Sequence, residues 1–173
     1  VMKKAGRIVI MGTAGLGDGN VTPVAEFNIW QDAEAAKIVT ESGLDNIIFV
    51  GWDACLGDCM LNPKEIKEIR ESGKLGKFAI DCNKNLLEMN RERFGDDYLD
   101  MADPSAMSAA LYPECIEKCE KYYCEVDVSA GPSYGAVLVD VNNVTGKEPN
   151  VYICSKLYAD KYKEYIYRTL KVK

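Results

Sequence analysis

Three polar side chains that could bind a sugar lie close together in residues 20–28. Asn20, Glu26 and Asn28 follow the glycine-rich stretch GTAGLGDG at 12–19. Amides and carboxylates can recognise vicinal hydroxyls, because each hydroxyl both donates and accepts a hydrogen bond. Glycines let the backbone approach a ligand closely. The residue types therefore indicate a site for a polyhydroxyl ligand. The alternative is a surface loop whose Asn and Glu cap the next helix.

The elements around this segment predict where it lies in a fold. Residues 6–11 (GRIVIM) and 46–52 (NIIFVGW) are short apolar runs typical of buried strands. Between them, Asp32 is a plausible N-cap for a helix that ends at Ser42 and Gly43. Such a β-loop-α-β unit builds a mostly parallel sheet. Ligands of open sheets bind at the carboxyl ends of strands, where residues 20–28 would lie.

The rest of the chain predicts further helices and a change to β structure. Asn62 and Pro63 begin one helix, residues 74–97 form another, and Asp103 with Pro104 opens a third that ends at residues 112–113. Residues 122–128, 134–141 and 150–154 are predicted to form a small antiparallel β set. Residues 158–170 are predicted to form an amphipathic helix. Its tyrosines favour core packing over a stacking platform for nucleic acid.

Composition excludes several function classes. The net charge of -6 argues against binding nucleic-acid backbones or an anionic membrane. No apolar run approaches the ~20 residues that span a bilayer. The seven cysteines are odd in number and loosely spaced, which indicates free thiols in a reducing, cytoplasmic location. The chain has no histidine, so Ser–His and Cys–His nucleophile pairs within it are excluded.

Two Cys-x-x-x-Cys pairs raise the question of a zinc site. They are Cys55 with Cys59 and Cys115 with Cys119. Zinc spacing is usually tighter or followed by histidine, and the second pair lies in a helical pattern. Small buried thiols are therefore favoured over a metal site.

The segment around residues 20–28 also carries a family resemblance. GNVTPVAEFNI at 19–29, followed by QDAEAAKIV at 31–39, resembles the signature GN.TP.AEFN...DPEAA..V of the inosine–uridine preferring nucleoside hydrolases. IIFVGWDA resembles the strand that leads to the family's Asp-Val-Thr element, and GPSYGAVLVD resembles a late strand. Ala102-Asp103-Pro104 resembles its His-Asp-Pro element. The resemblance covers the chain and corresponds to roughly the C-terminal half of the family's length.

The resemblance implies a fold, an activity and roles for named residues. It predicts one domain over residues 1–173, a Rossmann-like open mixed sheet flanked by helices, with the small antiparallel set near the C-terminus. It implies hydrolysis of a ribonucleoside's N-glycosidic bond by calcium-bound water. Asn20, Glu26 and Asn28 would hold the ribose hydroxyls, Met11 would line the sugar pocket, and Phe27 would pack nearby.

Asp103 would be a calcium ligand, although a carboxylate there could also be a helix N-cap. The family's N-terminal cluster Asp-x-Asp-x-x-x-Asp-Asp is absent from this chain. Calcium takes about six to eight oxygens, so its other ligands must come from outside the chain. The chain alone is therefore expected to be inactive and to need a complementary N-terminal chain or a homo-oligomer. The alternative is a non-catalytic nucleoside- or ribose-binding remnant or subunit.

A second departure from the family concerns the residue that would assist the leaving base. Ala102 stands where the family often has a histidine or an aromatic residue. Asn90, Phe94 and Tyr98 are candidates for contacting the base, and the alternative for each is an ordinary helix surface or core position. Asp53 follows the second strand and stays without an assigned role.

Overall fold

A four-stranded mixed sheet organises residues 4–172, the part of the chain that the computed structural model describes. In chain order the strands are β1 (Ile8–Met11), β2 (Ile47–Val50), β3 (Ile116–Tyr122), β4 (Cys124–Val126), β5 (Val137–Val139) and β6 (Val151–Leu157). The main sheet has the order β1-β2-β6-β3. The first three strands in that order are parallel, and β3 runs antiparallel to β6. β4 and β5 form a separate antiparallel pair.

Seven helices surround the sheet in the described part of the chain. They are α1 (Phe27–Gln31), α2 (Ala33–Thr40), α3 (Pro63–Glu71), α4 (Lys74–Asp81), α5 (Lys84–Phe94), α6 (Ala102–Leu111) and α7 (Ala159–Leu170). Asp32 caps α2 by accepting from the Ala35 N–H at 2.9 Å. Asn62 and Glu65 form a reciprocal capping box at the start of α3. Both predicted helix starts are confirmed. None of the helices in residues 4–172 is long and apolar enough to cross a membrane.

The core has two layers, one on each face of the sheet. Alternate residues of β2 supply both, since successive strand side chains point to opposite faces. Ile47 and Phe49 pack with Ile29 of α1. Val50 packs on the other face with Tyr162 of α7. Tyr162 and its neighbour Tyr165 are buried, so core packing is confirmed for these two of the C-terminal tyrosines.

The predicted mixed sheet and small antiparallel set are confirmed, but the assignment of strands to them was partly wrong. Residues 151–154 of the predicted strand 150–154 belong to β6, which pairs with β2 in the main sheet. Residues 122–128 divide between β3 and β4. Strand pairing is set by contacts distant in sequence, and an apolar run does not specify its partner. Cys115 and Cys119 were also misplaced, because they lie in a 3-10 turn and in β3 rather than in a helix.

The predicted helix at 74–97 is two helices. α4 ends at Asp81 and α5 begins at Lys84. The Asn83 amide donates to the Ala79 carbonyl at 2.8 Å and satisfies an acceptor at the end of α4. This side-chain bond competes with continuation of the helix.

Candidate active site

The site is built where β1 and β2 end. Met11 ends β1, and Gly51 follows β2 directly. The Trp52 N–H donates to the Thr13 carbonyl at 2.9 Å and ties the two chain segments together. A Cβ on Gly51 would lie 2.6 Å from Gly15 Cα, so only glycine permits this approach. The glycine-rich loop is therefore fixed against the end of β2.

Glu26 joins this loop to α1. Its buried carboxylate accepts from the Thr13 N–H at 3.2 Å, the Asn28 N–H at 2.9 Å and the Ile29 N–H at 3.3 Å. Burial raises the pKa of Glu26, these three backbone bonds oppose the rise, and the negative charge of Asp103 adds to it. Glu26 is thus the N-cap of α1, which confirms for Glu26 the alternative in which polar residues of this segment cap the next helix. This cap starts α1 at Phe27, so the last two residues of the segment 20–28 are helical.

The two asparagines each keep a donor for a ligand. Asn20 Oδ1 accepts from the Phe27 N–H at 2.8 Å, which leaves its amide nitrogen without a partner among the described residues. The Asn28 amide nitrogen lies 2.9 Å from Met11 Sδ. A thioether is a weak acceptor, so a hydroxyl group would be a better partner for Asn28.

These residues converge on one cleft, here called the smaller cleft, of about 400 Å³. Its lining includes every predicted sugar-binding residue and the predicted metal ligand: Met11, Asn20, Glu26, Phe27, Asn28 and Asp103. Asp103 is exposed and lies in the first turn of α6. Met101 is the N-cap, so the alternative reading of Asp103 as an N-cap was wrong.

A larger cleft of about 640 Å³ adjoins the smaller one and shares with it Asn20, Phe27, Trp52, Leu86 and Asp100. Its floor is a buried network that sequence reasoning missed. Asp100 accepts from Trp52 Nε1 at 2.8 Å and from Asn90 Nδ2 at 2.6 Å. The Arg93 guanidinium lies 4.6 Å from the centre of the Trp52 ring. The available signal was the tryptophan at the end of the second predicted strand, residues 46–52.

The three candidates for contacting a base differ in position. Asn90 lines the larger cleft, but its amide nitrogen is bonded to Asp100 and to the Tyr98 carbonyl. Tyr98 contacts this network through its backbone carbonyl, which accepts from the Asn90 amide at 3.1 Å. Phe94 does not line either cleft and lies at the end of α5, with the Arg93 guanidinium 5.7 Å from its ring centre.

Asp53 supports the loop rather than the clefts. One carboxylate oxygen accepts from the Leu16 N–H at 2.9 Å. The other is buried without a partner in the described part of the chain. Burial raises the pKa of Asp53 to about 6.

The carboxylates near the clefts do not make a complete calcium site. Residues 4–172 contain no group of three or more His, Cys, Asp or Glu side chains able to hold a metal. The oxygens of Glu26 and Asp100 are engaged by N–H donors, which leaves the exposed carboxylates of Asp103 in the smaller cleft and Glu92 in the larger one. Two exposed carboxylates in different clefts fall far short of the six to eight oxygens, roughly, that calcium takes.

Comparison with known proteins identifies the family. The pattern described as "Inosine-uridine preferring nucleoside hydrolase" matches residues 1–164. The chain belongs to this nucleoside hydrolase family. The resemblance carried by residues 19–39 is therefore confirmed.

Relatives and solved structures agree with this assignment. The pyrimidine-specific ribonucleoside hydrolase RihB of Escherichia coli O1:K1 is 34% identical over 154 residues, which is 88% of this chain and 48% of that protein. The plant nucleoside hydrolase PpNRh1 superposes with a TM-score of 0.86 at 25% identity, over 98% of this chain and 55% of that one. The purine-preferring ribonucleoside hydrolase of Gardnerella vaginalis gives 0.80 at 28% identity, over 96% and 52%. This chain thus spans about half the length of these nucleoside hydrolases.

Proposed function

We propose that this chain provides the ribose-binding half of an active site that hydrolyses the N-glycosidic bond of ribonucleosides. The observation that carries the proposal is the convergence of Asn20, Glu26 and Asn28 with Met11 on the smaller cleft. Membership of the nucleoside hydrolase family supports it.

The side-chain amides of Asn20 and Asn28 are the groups that would bind the ribose hydroxyls. The Asn28 amide would exchange the weak Met11 thioether for a ribose hydroxyl, and the Asn20 amide would donate to a second hydroxyl. The Glu26 carboxylate, held by three N–H groups, supplies fixed negative charge beside them. Such preorganised charge favours a sugar that becomes cationic as its bond to the base breaks.

We assign the base of the nucleoside to the larger cleft. The Trp52 ring and Leu86 provide apolar surface there. Arg93 is the one basic residue among the described residues that line either cleft. Because the chain has no histidine, we assign to Arg93 the charge-assisted hydrogen bond to the departing base.

Asp103 would be one ligand of a calcium ion whose other ligands come from outside residues 1–173. A complementary polypeptide or a second copy of the chain would supply them. No catalytic step follows from the described residues alone. The free state of all seven cysteines supports a reducing, cytoplasmic location for this assembly.

Titration by NMR with uridine and 2′-deoxyuridine tests the sugar site. Uridine is expected to bind more tightly, because the deoxy compound lacks one of the hydroxyls that the asparagines would recognise. Asn28→Ala should weaken uridine binding by a factor of about 5 to 150, the equivalent of ~1–3 kcal/mol. Asn85→Ala is the matched control, since Asn85 is exposed and outside both clefts. Equal binding of the two nucleosides, or no effect of Asn28→Ala, would remove these residues from a ribose site.

A non-catalytic nucleoside-binding subunit is the second candidate, favoured by the lack of a complete metal-binding group among the described residues. Chromatographic detection of free base separates the two functions. Binding without base release, even when a partner polypeptide co-purifies, supports the binding subunit. Base release by the purified assembly that is lost in Asn28→Ala supports the hydrolase.

A further inference from the structure

Two cysteines face each other across neighbouring strands, away from both clefts. Cys119 of β3 and Cys154 of β6 are paired in the antiparallel register, directly after a register shift between Lys118 and Cys119. Directly paired residues in antiparallel strands have Cα atoms about 4.5 to 5.5 Å apart, within the range of roughly 4.4 to 6.8 Å that a disulfide requires. Both side chains lie on the face of the sheet that carries Tyr162. These paired positions on one face of the sheet place the two thiols in hydrogen-bonding contact.

The two thiols have different surroundings. Cys154 is fully buried in the central strand β6. Cys119 is half-buried in β3, the edge strand, between exposed Lys118 and Glu120. A hydrogen bond from the Cys154 thiol lowers the pKa of Cys119, whereas that contact and burial raise the pKa of Cys154. Cys119 is thus the accessible nucleophile and Cys154 the buried partner that would react second.

We propose that Cys119 and Cys154 are a thiol modification site, which small disulfide compounds convert into a cross-strand disulfide. The Cys119 thiolate attacks a small disulfide RSSR, its S–S bond breaks, and one RS⁻ leaves. Cys154 then loses its proton and attacks the Cys119 sulfur, which releases the second RS⁻. Two cysteine thiols are oxidised and one RSSR is reduced to two RSH. The proposal is independent of the nucleoside hydrolase activity.

The other thiols near this pair are poorer candidates. Cys115 is buried, and burial raises its pKa. Its Sγ lies 3.5 Å from the Ser108 hydroxyl. Cys59 is buried, and burial raises its pKa to about 11. Neither has a cysteine as its cross-strand partner among the described strands. Cys82 is exposed between α4 and α5 and would form a mixed disulfide instead.

Equilibration with oxidised and reduced dithiothreitol, followed by acid quench and mass spectrometry, tests the proposal. The protein should lose two hydrogens. Trypsin should release the peptide 119–121 joined to the peptide 148–156. Cys119→Ser should abolish this product, and Cys115→Ser should leave its yield unchanged. With oxidised glutathione, Cys154→Ala should stop the reaction at a mixed disulfide on Cys119.

Folding of each variant is checked by circular dichroism and its thermal transition. If Cys154→Ala does not fold, Cys119→Ser still tests the pair, since residue 119 is half-buried on an edge strand. The proposal is overturned if the cross-link maps to another pair or survives Cys119→Ser. It is also overturned if the wild-type pair stays reduced when the redox buffer is fully oxidising.

Discussion

Glu26 shows how one side chain can serve both fold and site. Its two carboxylate oxygens meet three N–H donors, from Thr13, Asn28 and Ile29. The same interaction starts α1 and holds the first residues of the loop. The sugar-binding and helix-capping interpretations of this residue are therefore compatible, because the cap fixes the carboxylate in the cleft that Asn28 also lines.

Glu26→Gln should lower the free energy of unfolding by about 1 to 3 kcal/mol, because the new amide NH₂ cannot accept from a buried backbone N–H. Urea unfolding measures the change. Glu148→Gln is the control, since Glu148 is exposed. A Glu26→Gln variant as stable as the control would contradict the capping role.

Asp53 gives a pH dependence of stability with a defined sign. Its folded-state pKa is about 6, above the ordinary value of 3.8, because the carboxyl is buried. Between these two values the folded state binds more protons than the unfolded state, so stability falls as pH rises. The contribution is fully present below 3.8 and is lost through about 6. After allowance for partial exposure, the loss is on the order of 2 kcal/mol.

Asp53→Asn should remove this part of the slope, because an amide does not titrate. Urea unfolding at a series of pH values across this window measures it. Asp58→Asn, at an exposed position, should keep the wild-type slope. Retention of the full slope in Asp53→Asn would show that another group is responsible.

At the scale of elements, Asp100 links three parts of the chain. It lies just before α6 and bonds to Asn90 of α5 and to Trp52 in the turn after β2. Asp100→Ala leaves the buried Trp52 indole N–H without an acceptor and removes one of the two acceptors of the Asn90 amide, so it should cost about 2 to 4 kcal/mol. It should also change the emission of Trp52, measured in a Trp30→Phe background that leaves one tryptophan. Asp45→Ala, at an exposed position, is the control. Unchanged stability and emission would mean that the network does not hold the cleft floor.

Which elements the sequence predicts depends on whether their signals are local. The starts of α2 and α3 were predictable because Asp32 and Asn62 bond to N–H groups two or three residues ahead. The break before α5 was missed because it depends on an Asn83 side-chain bond inside a helical pattern. The partner of β6 was missed because its contact with β2 spans about a hundred residues of sequence. Periodicity carries no information on such pairing.

The residues of the candidate site also differ in whether a local sequence signal predicts them. The signature residues near Asn20 were predictable because they lie in one short segment. Trp52, Arg93 and Asp100 come from three separate parts of the chain, and only the fold brings them to the larger cleft. Phe94 was a candidate for contacting the base, yet it lies at the end of α5 outside both clefts.

At the scale of the whole molecule, the sheet ends at β1 within the described residues. Hydrogen bonds from Ile8 N–H to Asn46 and from Gly12 N–H to Val50 show which residues of β1 face β2. By the alternation of a strand, the N–H groups of Val9 and Met11 point away from β2. Met107 and Leu111 of α6, the helix that packs on β1, are 54% and 59% exposed. An edge of this kind can pair with another strand, and the chain spans only about half of its relatives' length.

We therefore expect chain 1–173 to associate through β1, and a pair of proline substitutions can test this. Val9→Pro removes an N–H that faces outward, so it should weaken association in sedimentation velocity over a range of concentrations while lowering stability only modestly. Ile10→Pro removes an N–H on the side that faces β2 and should cost about 3 kcal/mol or more in unfolding free energy. Association that is equally strong in wild type and Val9→Pro would place the contact elsewhere. A chain that stays monomeric at every concentration would show that the β1 edge is not self-complementary, and that it takes a different polypeptide if it pairs at all.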